Sequence, residues 1–198
     1  MFRNNRIRMT GVTLIELLVV IVIAAILMGI AVPSYKSITT SYRISGEVNG
    51  LLGDLQFARA EAIKEGQSVT ICALPAGATG TPPTACATAG GSAGWQNGWI
   101  VFPVVSSAPT AAYSAASVLR YQAPFTGNPP DTLVDSTSGT IAVTFNRDGL
   151  ATGLSATGSD TFLSLHDPTS SANYTRCLQI TPVGGTQVTQ PSNNASCT

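Results

Sequence analysis

The stretch MTGVTLIELLVVIVIAAILMGIAVPSY, residues 9–35, decides how the rest of the chain is read. Leu17 to Val32 is sixteen residues without a polar side chain. Val12 to Val32 is twenty-one residues, about 32 Å as an α-helix and enough to cross the hydrocarbon core of a bilayer. One acid, Glu16, sits near the start of this run. An ionised carboxylate at bilayer depth costs roughly 3 kcal/mol even on lenient insertion scales, so Glu16 needs a reason. A cleaved secretory signal has a shorter apolar region closed by a small-x-small site. Here the run is long and a helical pattern continues beyond it.

Arg3, Arg6 and Arg8 all precede the run. Lys and Arg beside a span stay cytoplasmic, so the C-terminal part is expected across the membrane. The formal net charge of zero hides this split: from Val12 onward seven Lys/Arg face ten Asp/Glu, leaving a chain near −3. No basic run remains, which disfavours nucleic acid as a partner. Only 10% of residues are charged, against about a quarter in soluble domains. The 31 Gly and Pro residues cluster outside the first third, as in a β-rich, loop-rich domain.

Past the apolar run the pattern turns amphipathic. Val48, Leu51, Leu52, Leu55, Ala58, Ala62 and Ile63 recur at three- and four-residue spacing, with Glu47, Asp54, Arg59, Glu61 and Lys64 mostly opposite. Gly66 suits a C-cap. Gly29 adds flexibility, and Pro33, lacking an N–H, is expected to kink the helix or end it locally. The reading is thus 12–33 as a spanning helix, 34–66 as an amphipathic helix and 67–198 as a β-rich domain, with the basic stretch 1–11 ahead of them.

Gly11, one apolar residue, and then Thr13-Leu14-Ile15-Glu16-Leu17 resemble the class III signal of type IV pilins and type II secretion pseudopilins. The resemblance implies that 1–11 is a leader, that prepilin peptidase cuts it off between Gly11 and Val12, and that the Val12 amine is methylated; most of the family has Phe where this chain has Val12. LLGDLQFARAEAIKEGQSVTIC (51–72), GWQNGWIVF (94–102), IAVTFNRDGLAT (141–152) and RCLQITPVGGTQV (176–188) resemble the GspH/FimT minor pilin family. That implies an α+β, type IV pilin-like fold. The partners implied are the peptidase, other minor pilins or pseudopilins, the major subunit and the inner membrane; no cofactor is implied. The subunit would wait in the inner membrane, its amino terminus cytoplasmic and its domain periplasmic, and then enter a pilus or pseudopilus at or near the tip. Glu16 lies one helical turn beyond the new amine. A bland reading has it snorkelling to headgroups; the resemblance implies instead that it pairs with the amine of a neighbouring subunit, each charge offsetting the other's desolvation.

The domain reads as short strands: 67–74 alternating around Val69, Ile71 and Ala73, then 99–105, 118–122, a hairpin through Asp148-Gly149, 161–165, and 176–181 joined to 186–188 through Gly184-Gly185. Pro103 suggests an edge or a bulge. The sheets are expected to wrap the amphipathic half-helix. Segments 75–94, 106–116 and 189–198 read as loops, the first two being where partner specificity is expected. Cys72, Cys86, Cys177 and Cys197 fall on the oxidising side, where four cysteines allow three connectivities. Proximity favours Cys72–Cys86 and Cys177–Cys197, and a fifteen-residue loop closed this way gains about 3 kcal/mol. With no CxxC and one histidine, a metal site is disfavoured.

Trp95 and Trp99 read as packing anchors rather than a ligand groove. His166-Asp167 lacks a nucleophile motif, Arg147-Asp148 is explained by turn geometry, and the glycosylation-like Asn173 and Asn194 carry no weight. The chain reads as a substrate of the peptidase rather than an enzyme. A DNA-receptor reading is weakened because the positions matching the Gly-Arg-x-Arg motif of some FimT-like proteins are Gly184, Gly185, Thr186 and Gln187, with neither arginine. Arg147 and Arg176 remain as a small basic patch.

Overall fold

A computed structural model describes residues 11–78, 82–83, 85–88, 94–104, 117–127, 129–135, 139–154, 160–191 and 197. Arg3, Arg6 and Arg8, loop 106–116, Asn194 and much of loop 75–94 lie outside the described residues. The chain divides into two units, Met1–Thr39 and Thr40–Thr198. Helix α1, Leu14–Glu65, contributes to both. Gly29 and Pro33 fall inside it, so Pro33 does not end the helix.

In the first unit, α1 is the segment long and apolar enough to cross a membrane. In the second, nine strands among the described residues form two antiparallel sheets. The first, ordered β3-β2-β1-β5-β6, uses β1 (Ser68–Ala73), β2 (Trp99–Val104), β3 (Arg120–Gln122), β5 (Ala142–Phe145) and β6 (Ala151–Thr152). The other, ordered β4-β7-β8-β9, uses β4 (Thr132–Asp135), β7 (Thr161–His166), β8 (Arg176–Ile180) and β9 (Thr186–Thr189). This is the α+β, pilin-like architecture expected. β4 is the strand that the sequence reading lacks: four residues behind Pro129-Pro130 give too short a pattern to read.

Both sheets share one core with α1. Ile44, Val48, Leu51, Leu55, Ala58 and Ala62 line the helix side. Val69, Ile71, Trp99, Val101, Val143 and Phe145 come from the first sheet, and Leu133, Leu163, Leu165, Leu178 and Ile180 from the other. Ile63 leaves this stripe and is half exposed, while Ile44 joins it one turn earlier than expected. The first sheet is apolar on its other face as well, where Cys72, Leu74, Ile100, Phe102, Val104 and Ala142 form a smaller core. That explains why β1 and β2 read as nearly continuous apolar runs.

Pro103 sits in β2 without a bulge. The Leu74 N–H donates to the Gly98 carbonyl at 2.9 Å. Ladder alternation then makes Pro103–Val69 a non-hydrogen-bonded pair. The missing N–H therefore lies on the β3 side, where pairing stops at Val101. Here β2 is locally an edge.

The disulfides are Cys72–Cys86 and Cys177–Cys197, closing separations of 14 and 20 residues. Near the end of α1, Arg59 Nη1 and Nη2 donate to the carbonyls of Gly184 and Val183 at 3.0 and 3.2 Å. Gly184 lies in the β8–β9 turn at φ +77°. The Ala151 N–H of β6 donates to Pro182 O at 2.9 Å, so turns from both sheets meet at Arg59. A Cβ on Gly184 would fall 2.0 Å from the Gly149 carbonyl oxygen. Gly184→Ala is therefore expected to destabilise the domain by about 2 kcal/mol or more. Urea unfolding of the full chain in detergent, followed by emission of the buried tryptophans, checks this.

Candidate functional site

Two groups of residues stand out, one in each unit. In the first, Thr13 caps α1. Its Oγ1 accepts the Glu16 N–H at 3.3 Å, and its carbonyl accepts the Leu17 N–H at 3.2 Å. Thr13-x-x-Glu16 is therefore the sequence of a capping box with its hydroxyl-to-backbone bond in place. Glu16 stands in the first turn, where an acid also favours the positive end of the helix dipole. This local role for Thr13 was legible in the sequence but overlooked in the reading of Glu16. Beyond it, every large apolar side chain from Val12 to Val32 is between 48% and 83% exposed. A surface that apolar belongs in lipid or against other helices.

In the second unit, the polar side of α1 is not simply solvated. Asp54 accepts the Trp99 indole N–H at 2.8 Å and the Arg120 guanidinium at 2.8 Å. Arg120 in turn stacks 3.8 Å from the Phe57 ring centroid. One carboxylate thus ties a core tryptophan and an outer strand to the helix. Trp95 donates to the Thr140 carbonyl at 2.9 Å. Both tryptophans are buried, as packing anchors should be.

Arg43 forms a two-pronged ion pair with Asp131, Nε to Oδ2 at 2.6 Å and Nη2 to Oδ1 at 2.7 Å. Asp131 is 1% exposed, and the pair spans 88 residues of sequence, so no local pattern announces it. The Asp131 hydrogen bond raises Arg43 above its ordinary range. One turn on, burial and then the adjacent Asp131 charge push the Glu47 carboxyl up to about 8. Glu47 Oε2 is buried with no hydrogen-bond partner among the described residues.

His166 and Asp167 are each engaged with hydroxyl or backbone groups nearby. His166 Nδ1 meets Thr175 Oγ1 at 3.1 Å, and burial lowers the imidazole below its ordinary value. Burial pushes Asp167 up, but hydrogen bonds from Thr169 and Ser171 outweigh it and hold the carboxyl low. Arg147 and Asp148 are exposed in the β5–β6 turn, which Asn146 Oδ1 organises by accepting the Asp148 and Leu150 N–H groups, each at 2.9 Å. Arg176 is engaged with the carbonyls of Asn173 and Thr175 at 3.2 and 2.9 Å.

A capped, lipid-type helix whose second half carries two antiparallel sheets defines a pilin-like subunit. The family comparisons agree in both units. The model of the prokaryotic N-terminal methylation motif matches residues 7–32, and that of the type II transport protein GspH matches residues 47–184. The chain belongs to the GspH family. Two crystal structures of the type IV minor pilin FimU of Pseudomonas aeruginosa are similar to it. One is 21% identical, covering 74% of this chain and 90% of FimU with a TM-score of 0.48; the other is 18% identical, covering 79% and 90% with a TM-score of 0.49. No curated protein matches the chain.

Removing Arg43 leaves Asp131 buried and unpaired. Arg43→Met is expected to cost about 2 kcal/mol, below the full penalty for breaking a buried pair because Arg43 is 45% exposed. Urea titration measures it. Between about pH 4.5 and 8 the unfolded chain releases the Glu47 proton while the folded chain holds it, so this group lowers stability as pH rises through that window. Glu47→Gln is expected to melt higher than the parent at pH 8–9, the gap closing near pH 4.5. Thermal melts across pH check it.

Proposed function

We propose that this chain is a minor pilin or pseudopilin, cut by prepilin peptidase between Gly11 and Val12 and methylated on the Val12 amine. It is held in the inner membrane by residues 12–33, with its amino terminus cytoplasmic and its domain periplasmic. It then joins a type IV pilus or type II secretion pseudopilus at or near the tip and helps start assembly with other minor subunits and the major subunit. The observation that carries this reading is the coincidence of the methylation motif at residues 7–32 with a helix whose apolar side chains are exposed from Val12 to Val32. The GspH match over residues 47–184 supports a minor rather than a major subunit.

In the filament, Glu16 pairs with the Val12 amine of a neighbouring subunit, since an ion pair removes the larger part of the cost of burying either charge. Gly29 and Pro33 provide a place where the helix bends as it packs among others.

The test separates processing from assembly. In the native host, Gly11→Val is expected to retain residues 1–11, read by intact mass. Glu16→Ala is expected to be cut and methylated normally yet to fall at least about tenfold in sheared filaments, the equivalent of roughly 1.4 kcal/mol. Filament incorporation of Glu16→Ala at the parent level would overturn the pairing; normal processing of Gly11→Val would overturn the cleavage site.

A further inference from the structure

The apolar run of α1 is bounded by two charged side chains and holds none between them. Glu16 closes it at one end; Lys36, with Tyr35 beside it, closes it at the other. From Leu17 to Tyr35 no residue carries a charge. All of these residues stand on one unbroken helix within the first unit. Glu16 to Lys36 is twenty positions, about 30 Å along the axis, which is the thickness of a bilayer's hydrocarbon core. Tyr35 is 70% exposed, and Lys36 is exposed next to it. Thr39 Oγ1 donates to the carbonyls of Tyr35 and Lys36, each at 3.0 Å, so the backbone here is satisfied by the helix itself. The Tyr35 hydroxyl and the Lys36 ammonium are left pointing out of the chain.

A run of this length has two seats in a bilayer. Centred on Val22, residues 12–32 fill the hydrocarbon. Glu16 then lies about 6 Å inside it, where an ionised carboxylate is costly, and Lys36 stands off in water. Centred on Ile26, residues 16–36 fill it. Glu16 is then at the edge, and its Cβ tilts toward the helix N-terminus, away from the hydrocarbon. The four-carbon stem of Lys36 carries its ammonium out to the headgroups at the opposite edge. The Tyr35 ring falls in the interface layer where tyrosine is enriched. This seat also holds the Gly11–Val12 bond about 7 Å clear of the hydrocarbon, where the water that hydrolysis consumes is present.

We propose that α1 sits in the inner membrane centred on Ile26, held by Glu16 in the cytoplasmic headgroup layer and by Tyr35 and Lys36 in the periplasmic one, where the Lys36 ammonium pairs with a phospholipid phosphate. The proposal rests on the membrane reading above and adds a depth to it. Glu16 is wet while the subunit waits, and its burial begins only when the helix rises out of the bilayer. Its pairing with a neighbour's amine is therefore a contact of the filament, not of the resting membrane.

The experiment places one tryptophan at a time, Val22→Trp, Ile26→Trp or Ile30→Trp, in the full chain reconstituted in vesicles of phosphatidylethanolamine and phosphatidylglycerol. Lipids brominated near the headgroup or near the bilayer midplane quench its emission according to depth. Trp95 and Trp99 are buried in the domain and supply the background. Midplane bromines are expected to quench Ile26→Trp most, with Val22→Trp and Ile30→Trp each about 6 Å shallower. Adding Tyr35→Leu and Lys36→Leu together lengthens the apolar run and is expected to move the maximum about one turn, toward Ile30→Trp. Adding Glu16→Leu is expected to move it toward Val22→Trp. A starting maximum at Val22→Trp or Ile30→Trp, or a maximum that either set of substitutions fails to move, would overturn the seat and leave the span standing. No quenching at any of the three positions would overturn the span itself, and the seat with it.

Discussion

One apolar stripe on α1, from Ile44 to Ala62, has to serve two sheets at once. Strand pairing stays within each sheet. Apart from the Ala151 N–H to Pro182 O bond, what unites the sheets is the core they share with the helix, and each fully buried Leu, Ile or Val in it contributes about 2 kcal/mol. Apolar burial has no direction, so the stripe alone does not fix how the sheets sit. Three polar ties supply direction: Arg43 to Asp131, Asp54 to Trp99 and Arg120, and Arg59 to the Gly184 turn. Each joins the helix to a different part of the strand framework.

The low charge content follows from the same arrangement. In the first unit the large apolar side chains from Val12 to Val32 are exposed, and the first sheet is apolar on both faces because a second small core lies behind it. The Cys72–Cys86 bridge belongs to that outer core. The Cys177–Cys197 bridge ties the chain's last described residue to β8, which pairs with β7 and β9 in the other sheet. Each disulfide thus anchors a loop or tail that has few charged groups of its own.

The sequence was most legible where pattern is local. The apolar run, the Gly11–Glu16 motif, the strands around Val69 and Leu178, and the turn glycines 149 and 184 all announce themselves within a few residues. The stripe on α1 was legible for the same reason, though its edges were not. Whether Ile44 or Ile63 is buried depends on where the sheets end, which is not written in the helix. Glu47, Asp54 and Arg59 read as a solvated face because their partners lie far along the chain; Asp54 meets a tryptophan 45 residues away and Arg59 a carbonyl 125 away. Asp131, behind two prolines, gives no local sign that it is buried.

Helix α1 carries acids of two kinds. Glu61 sits beside Lys64 at 3.1 Å, an exposed helical pair of small consequence. Glu16 and Glu47 are different. One stands at the head of an apolar run, and the other has a buried oxygen unpartnered among the described residues. Replacing a buried charged group with a well-packed apolar one is often neutral or stabilising, so folding alone does not require Glu47, and of Glu16 it asks no more than an acid at the positive end of the helix. The capping bond at Glu16 uses its backbone N–H and would survive the loss of its carboxylate. The Glu16 carboxylate is thus available for the proposed pairing with a neighbouring subunit, while Glu47 is accounted for within the chain, where burial and Asp131 hold it as the acid.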